Sequence, residues 1–268
     1  MMLVNGFPDA CVSAADRGLA YGDGVFRTLL IKNGQTVAWP EQYDRLAADA
    51  GSLGIPVPEA SLLADELNQA CRGAADGVGK IVLTRGEGPR GYALPTSVVP
   101  TRIVSFGALP AWPAHWQING VTVRLCELRM AHQPRLAGIK HLNRLEQVLA
   151  RAEWQDSQIA EGILLDQAGW LVGGTMSNVL LWQTGRVLTP VLDRCGVAGL
   201  TRSRLQRLAE RYGVAWQEKR LRLEDLLQAE EVMLCNSVFG VWQVRCLADR
   251  SWQPGQMTQR LRDWLENA

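Results

Sequence analysis

Lys140 is the residue of this chain best suited to covalent chemistry. It lies in segment 136–148, Leu-Ala-Gly-Ile-Lys-His-Leu-Asn-Arg-Leu-Glu-Gln-Val, where a glycine-containing stretch leads into a predicted apolar helix. A lysine amine can form a Schiff base with an aldehyde, whereas an arginine cannot. Lys32, Lys80, Lys140 and Lys219 are the only lysines, so they are the candidates for such a bond. A solvated lysine at a helix start is the alternative interpretation of Lys140.

The other three lysines have structural interpretations. Lys32 precedes Asn33-Gly34, a strong hairpin signal, and is predicted to end a strand. Lys80 opens an apolar strand, and Lys219 lies in a polar stretch. All three are predicted to be solvated, as surface lysines usually are.

Composition excludes several classes of function. The chain has 268 residues and a formal net charge of +1, and its arginines are scattered among acidic residues. No basic surface for nucleic acid is therefore expected. No window approaches the roughly 18 apolar residues of a membrane span, and no basic leader precedes an apolar core. These features predict a cytoplasmic protein without nucleic-acid or membrane partners.

Cysteine and histidine usage argues against a metal site. The chain has six cysteines, no Cys-x-x-Cys pair and three histidines. We expect free, mostly buried thiols and no disulfide or bound metal.

Periodicity predicts a mixed α/β protein in two parts. Strands are predicted at 2–5, 25–31, 36–39, 80–84, 101–106, 120–128, 162–166, 177–182, 187–189, 231–236 and 241–246. Helices are predicted at 40–50, 59–72, 142–154, 201–212, 223–229 and 254–266. Two prolines break the pattern at 109–115 and indicate a linker.

Segment 197–203, Val-Ala-Gly-Leu-Thr-Arg-Ser, has the features of an anion site. Gly199 precedes a predicted helix, whose first backbone N–H groups and the Thr201 hydroxyl could bind a phosphate. Ordinary N-capping of the helix by Thr201 is the alternative.

Other polar residues could bind ligands. Arg45 lies on an amphipathic helix, where it is either a phosphate clamp or part of a solvated face. Asn236-Ser237 ends an apolar strand, at a crevice or a simple turn. Arg90 and Tyr92 lie in a turn-rich loop that either receives carboxylates or is a solvated hairpin.

Three segments together resemble the class IV pyridoxal-phosphate-dependent aminotransferase family. They are 136–148, 85–92 (Arg-Gly-Glu-Gly-Pro-Arg-Gly-Tyr) and 16–26 (Asp-Arg-Gly-Leu-Ala-Tyr-Gly-Asp-Gly-Val-Phe). Segment 16–26 fails the dinucleotide fingerprint, because no strand precedes it and no helix follows it in the prediction. The first two segments are most similar to the branch that converts 4-amino-4-deoxychorismate to 4-aminobenzoate and pyruvate in folate biosynthesis.

This resemblance implies a fold and an assembly. The fold would be α/β (α+β), of the two-domain kind found in D-amino acid aminotransferase. A smaller N-terminal domain would span 1–108, a linker 109–115, and a larger C-terminal domain with Lys140 would span 116–268. The resemblance also implies a homodimer.

The resemblance implies roles for individual residues. Lys140 would bind pyridoxal 5'-phosphate covalently, then remove a proton from the substrate's external aldimine so that pyruvate is eliminated. Thr28 would lie near the leaving oxygen. The remaining implied residues are Arg45, Leu200, Thr201, Asn236, Ser237 and Asn178 for the cofactor, and Arg90, Tyr92 and Phe26 for the substrate.

Position 173 departs from the family pattern. The family has a glutamate there that bonds the pyridine nitrogen, and this chain has Gly173. Thr175, another acid or water could replace it. A weakly protonated ring is a poorer electron sink, which favours a lyase over the alternative, a branched-chain or D-amino acid transaminase. A binding protein without turnover is the third hypothesis.

Overall fold

The computed structural model describes residues 1–268 and divides them into two compact units. Unit 1 comprises Met1–Pro110 and Ile139–Asn143. Unit 2 comprises Ala111–Gly138 and Arg144–Ala268.

Unit 1 is an antiparallel sheet packed against helices. Its sheet order is β1-β5-β4-β2-β3. The strands are β1 (Met2–Val4), β2 (Gly24–Lys32), β3 (Gln35–Thr36), β4 (Gly77–Thr84) and β5 (Arg102–Gly107). The helices are α1 (Arg17–Tyr21), α2 (Trp39–Ser52) and α3 (Ala60–Cys71).

Side chains alternate along β2 and give the sheet two different faces. Val25, Leu29 and Ile31 are buried in the core that also contains apolar residues of α2 and α3. Phe26 and Thr28 lie on the opposite face and are only half-buried. Because side chains alternate with a period of two, this second face can present polar groups to a ligand.

Residues 139–143 differ from the expected domain division. We expected Lys140 in the C-terminal domain, at the mouth of a helix. Instead, residues 140–142 run antiparallel to β2: Phe26 N–H donates to the Lys140 carbonyl (3.0 Å) and Leu142 N–H donates to the Gly24 carbonyl (2.9 Å). These backbone hydrogen bonds place the lysine in unit 1.

Unit 2 contains the larger sheet. Its strand order is β11-β10-β9-β12-β13-β6-β7-β8, with β14 also paired to β13. The strands are β6 (Val121–Met130), β7 (Ile159–Asp166), β8 (Leu171–Gly174), β9 (Asn178–Gln183), β10 (Arg186–Pro190), β11 (Ala215–Lys219), β12 (Glu231–Asn236), β13 (Gly240–Leu247) and β14 (Arg250–Ser251). The helices are α4 (Ala114–Asn119), α5 (Leu145–Arg151), α6 (Leu200–Arg211), α7 (Leu223–Gln228) and α8 (Gln256–Glu266).

Several predicted elements differ from the observed ones at their ends. The strands predicted at 80–84 and 162–166 begin three residues earlier, at Gly77 and Ile159. The strand predicted at 36–39 ends at Thr36, since α2 begins at Trp39 with Pro40 in its first turn. The helix predicted at 142–154 begins only at Leu145. Its apolar residues Leu145, Val148 and Leu149 are exposed rather than buried. Helices α1 and α4 and strands β8, β11 and β14 were not predicted.

All six cysteines are free. Cys126 and Cys235 are buried, Cys11 is exposed and the other three are half-buried. Burial raises the pKa of Cys126 and of Cys235 to about 12, so both thiols are protonated at neutral pH. No cluster of three histidine, cysteine or acidic side chains is positioned to hold a metal ion. None of the helices has the length and apolar character needed to cross a lipid bilayer.

Asp23 connects the start of β2 to two arginines. Its carboxylate accepts from Arg17 Nε (2.9 Å) and from Arg85 Nε and Nη2 (2.8 and 3.0 Å). Burial alone would raise the pKa of Asp23, but the hydrogen bonds and charges of Arg85 and Arg17 outweigh it and lower this pKa. The carboxylate therefore stabilises the fold above the pKa of an unfolded aspartate, and this stability is lost as the pH falls through the lowered value.

We expect Asp23→Asn to lower the free energy of unfolding at pH 7 by about 3 kcal/mol, because two arginines lose their counter-charge. The loss should shrink near pH 3. Urea unfolding at both pH values measures it, with the exposed Asp9→Asn as control. An equal loss at pH 7 and pH 3 would contradict the role of this charge.

Candidate active site

The backbone of Lys140 is fixed on both sides. Its carbonyl accepts from Phe26 N–H, and its own N–H donates to Asp49 Oδ2 of α2 (3.2 Å). The lysine is thus carried on an extended strand-like segment, which holds the base of its side chain more firmly than a flexible loop would.

Four side chains on the open face of unit 1 form what we call the lysine face: Phe26, Thr28, Lys80 and Lys140. Lys140 Nζ lies 4.3 Å from the centroid of the Phe26 ring, and Lys80 Nζ lies 5.2 Å from it. Thr28 is directly opposite Lys80 in the β2–β4 register. Two ammonium groups and a hydroxyl beside one aromatic ring form a surface suited to an anionic, planar ligand.

Lys80 is a residue that the sequence reasoning missed as a site candidate. It was predicted to be a solvated strand residue, and it is exposed. Alternation along β4 puts it on the same face as Val78 and Val82, but only the register with β2 brings it beside Phe26. That register depends on contacts about 50 residues apart in the chain.

Asp49 ties Arg45 to the lysine segment. Its Oδ1 is 3.4 Å from Arg45 Nε, and its Oδ2 accepts from Arg27 Nη1 (3.2 Å) and Lys140 N–H (3.2 Å). Asp49 and Arg27 are buried, whereas the Arg45 side chain is 30% exposed. Burial lowers the pKa of Arg27, and the charge of Asp49 opposes this shift. Asp49 was not recognised in the sequence, because an acid on an amphipathic helix usually indicates a solvated face.

Unit 2 contains a separate group of polar residues at the start of α6, which we call the anion cradle. It consists of Asn178, Gly199, Leu200, Thr201, Asn236 and Ser237. Asn178 Oδ1 accepts from Gly199 N–H (3.0 Å), and its Nδ2 donates to the Val197 carbonyl (2.8 Å). The Thr201 and Ser237 hydroxyl oxygens are 3.4 Å apart. The structure thus brings together three segments that are distant in the chain: residue 178, residues 199–201 and residues 236–237.

Glycine is required at position 199. A Cβ there would lie 2.3 Å from Asn178 Oδ1, so any side chain would displace the asparagine. Gly199 is also the N-cap of α6 and provides no side-chain cap, which means that capping by Thr201 is the wrong interpretation. The first N–H groups of a 12-residue helix lack helical acceptors and favour an anion.

Asn236 fixes the second edge of the cradle. Its Oδ1 accepts from Val238 and Phe239 N–H (2.9 and 3.0 Å), and its Nδ2 donates to the Met176 carbonyl (3.2 Å). These bonds orient the turn that carries Ser237.

Arg90 and Tyr92, the other predicted substrate-binding residues, lie in an exposed loop. Arg90 is exposed, and Tyr92 is 85% exposed with its ring 5.4 Å from that of Tyr21. Both belong to the loop after β4 and not to the open face of the sheet.

Comparison with known proteins identifies the family. A family profile described as amino-transferase class IV matches residues 24–247. The chain belongs to the class IV aminotransferase family. Members of this family depend on pyridoxal phosphate, and the family resemblance seen in the sequence is confirmed.

Individual relatives cover the whole chain. It is 35% identical over 267 residues to aminodeoxychorismate lyase of Vibrio harveyi, covering 98% of both proteins. The structure matches 4-amino-4-deoxychorismate lyase from Pseudomonas aeruginosa with a TM-score of 0.94 and 46% identity, covering 100% of this chain and 98% of that one. The PLP-bound form of a hypothetical aminotransferase from Mycobacterium tuberculosis has a TM-score of 0.85 at 19% identity, covering 99% and 97%, a likeness of fold alone. The predicted α/β class IV aminotransferase fold is confirmed.

Proposed function

We propose that this protein is a pyridoxal-phosphate-dependent lyase that converts 4-amino-4-deoxychorismate to 4-aminobenzoate and pyruvate. Two full-length relatives bearing the name of that lyase support this function. The structural observation that carries the proposal is the lysine face. There the amines of Lys140 and Lys80 lie near the Phe26 ring, and Thr28 is paired with Lys80.

The residues present fit the cofactor. Lys140 provides the amine for its aldehyde, and Arg45 a guanidinium for its phosphate. The anion cradle provides helix N–H groups at Leu200 and Thr201 and the hydroxyls of Thr201 and Ser237. Gly199, where a Cβ would collide with Asn178, allows this asparagine to keep its place in the cradle. When bound, the cofactor supplies an electron sink for the carbanion that the reaction needs.

Lys140 and Thr28 would move the protons of the reaction. The Lys140 amine takes the proton from the amine-bearing carbon of the substrate, because it is the base held closest to that carbon. The Thr28 hydroxyl would donate a hydrogen bond to the ether oxygen as the bond between this oxygen and the ring carbon breaks. The oxygen leaves with the three-carbon group, and the proton held by Lys140 passes to that group, which becomes pyruvate. Substrate and products contain the same atoms, so the reaction requires no keto acid.

The substrate carries two carboxylates, which the lysine face and the following loop would bind. Lys80 can pair with one of them, while Phe26 packs against the ring. Arg90 and Tyr92, on the exposed loop after β4, would bind the other carboxylate.

Lys80→Met should raise KM about tenfold and change kcat little, because it removes one charge-assisted contact and keeps the length of the side chain. Steady-state kinetics measure both constants. Lys32→Met, at the exposed end of the same sheet, is the matched control. A fall in kcat at unchanged KM would show that Lys80 acts in the chemical step and not in binding.

Product analysis tests the function directly. The purified protein, loaded with pyridoxal phosphate, is supplied with enzymatically generated aminodeoxychorismate without a keto acid. Equal amounts of 4-aminobenzoate and pyruvate are expected. Amino-group exchange only after a keto acid is added would support the transaminase instead, and neither reaction would support a binding protein.

The proposal includes a homodimer, as the family resemblance implies. The exposed apolar side chains of α5, Leu145, Val148 and Leu149, are consistent with a covered surface in an assembly. Light scattering of the eluted protein measures the mass, and a mass near 29.5 kDa would contradict the dimer.

A further inference from the structure

Position 173 has little room for a side chain. Gly173 lies in β8, and a Cβ there would lie 2.8 Å from the Ser177 carbonyl oxygen. The connection between β8 and β9 is closed by a bond from Gly174 N–H to the same carbonyl (2.8 Å). A carboxylate therefore cannot be added at 173 without shifting this backbone.

A different carboxylate is bonded to the same connection. Glu161 of β7 is fully buried. Its Oε1 accepts from Gly162 N–H (2.9 Å), Thr175 N–H (3.0 Å) and the Thr175 hydroxyl, and its Oε2 accepts from Met176 N–H (3.1 Å) and the Ser177 hydroxyl (2.9 Å). A buried charge held by five donors is strongly oriented. Gly174 permits this arrangement, because its Cβ would lie 2.7 Å from Glu161 Oε2.

The hydrogen bond from the Thr175 hydroxyl to Glu161 determines how this hydroxyl can bond to a ligand. A threonine hydroxyl has one hydrogen, and here it is given to Glu161. The oxygen of Thr175 therefore presents lone pairs only, polarised by the carboxylate behind it. Such an oxygen can accept from a protonated nitrogen, but it cannot donate to an unprotonated one.

Thr175 belongs to the same part of unit 2 as the anion cradle. The next residue, Met176, accepts from Asn236, and Asn178 at the end of the turn accepts from Gly199. Thr175 itself is half-buried. The Thr175 hydroxyl thus lies in a turn that is hydrogen-bonded to the anion cradle through Met176 and Asn178.

We propose that Thr175 accepts a hydrogen bond from the protonated ring nitrogen of the cofactor and that Glu161 positions and polarises this hydroxyl, which replaces a direct carboxylate at position 173. The inference rests on the proposed function, since it requires pyridoxal phosphate at the cradle. Thr175 is the group that touches the cofactor, and Glu161 acts through it.

The test uses the full-length protein loaded with pyridoxal phosphate labelled with ¹⁵N in the ring. The nitrogen resonance distinguishes a protonated from an unprotonated ring, and equilibrium titration gives the cofactor affinity. We expect a protonated ring in the unaltered protein. Thr175→Val, which keeps the shape, should shift the resonance toward the unprotonated form and weaken cofactor binding about tenfold.

Two variants separate this role from a structural one. Thr175→Ser restores the hydroxyl and should restore the protonated resonance. Ser177→Ala removes the other hydroxyl that donates to Glu161 and should leave the ring protonated. An unprotonated ring in the unaltered protein, an unchanged resonance in Thr175→Val, or an equal change in Ser177→Ala would overturn the inference.

Failure of the inference is distinguishable from failure of the proposed function. A protein that binds the cofactor and forms both products with an unprotonated ring refutes only the role of Thr175. A protein that does not bind pyridoxal phosphate refutes both.

Discussion

Lys140→Ala is expected to abolish both lyase turnover and covalent attachment of the cofactor. The amine is the proposed base and the proposed point of attachment, so we expect kcat to fall about 10⁴-fold or more. The visible absorbance of the lysine-bound cofactor should disappear in the same variant. Absorbance spectra and product assays measure the two effects independently.

Another lysine of the chain provides a matched control. Lys219→Ala removes an exposed lysine at the end of β11 and should leave absorbance and rate unchanged. Turnover of Lys140→Ala at the normal rate would refute the proposed mechanism. Loss of turnover with retained covalent absorbance would assign the attachment to another lysine, and Lys80 would be the next to test.

Asp49→Ala is expected to have the second-largest effect, on stability and cofactor binding together. The buried Arg27 would lose its counter-charge, which should lower the free energy of unfolding by about 3–5 kcal/mol. Arg45 and the Lys140 backbone would lose an anchor through the same change. Urea unfolding and cofactor titration measure the two effects, and the exposed Asp44→Ala on the same helix is the control.

A double variant separates the two roles of Asp49. In Asp49→Ala combined with Arg27→Leu no buried charge is left unpaired, so most of the stability should return. Cofactor affinity should remain low, because Arg45 and the Lys140 backbone still lack the Asp49 carboxylate. Recovery of both properties would show that Asp49 matters only through Arg27.

Local patterns in the sequence predicted much of the fold. The strand-like run 25–31 and the Asn33-Gly34 turn predicted β2 and its hairpin, and strand 231–236 has the predicted bounds. The helix after Lys140 was predicted to begin at residue 142, but it begins at Leu145. The prediction began too early because Leu142 has the same helical spacing from Leu145 as Leu145 has from Val148. Residues 140–142 bond β2 instead, more than 100 positions earlier in the chain, and no local pattern carries that information.

The site shows the same limit. Gly199, Thr201 and Asn236 could be proposed because glycine before a helix and polar residues at a strand end have recognisable chemistry. The sequence could not predict the bond between Asn178 and Gly199. It also could not predict which groups bond to Asp49 or to Glu161. Each depends on partners brought together by the sheet registers and by turns distant in sequence.

The placement of residues 139–143 in unit 1 has a consequence for how the protein is made. During synthesis, the first 110 residues emerge with the edge of β2 near Gly24 and Phe26 still lacking its hydrogen-bond partners. Those partners arrive only when residue 143 has left the ribosome, after part of unit 2 has already been made. A fragment ending at Pro110 would keep this edge open, whereas a nascent chain that includes residue 143 can close it, and the reactive lysine enters its position in the same step.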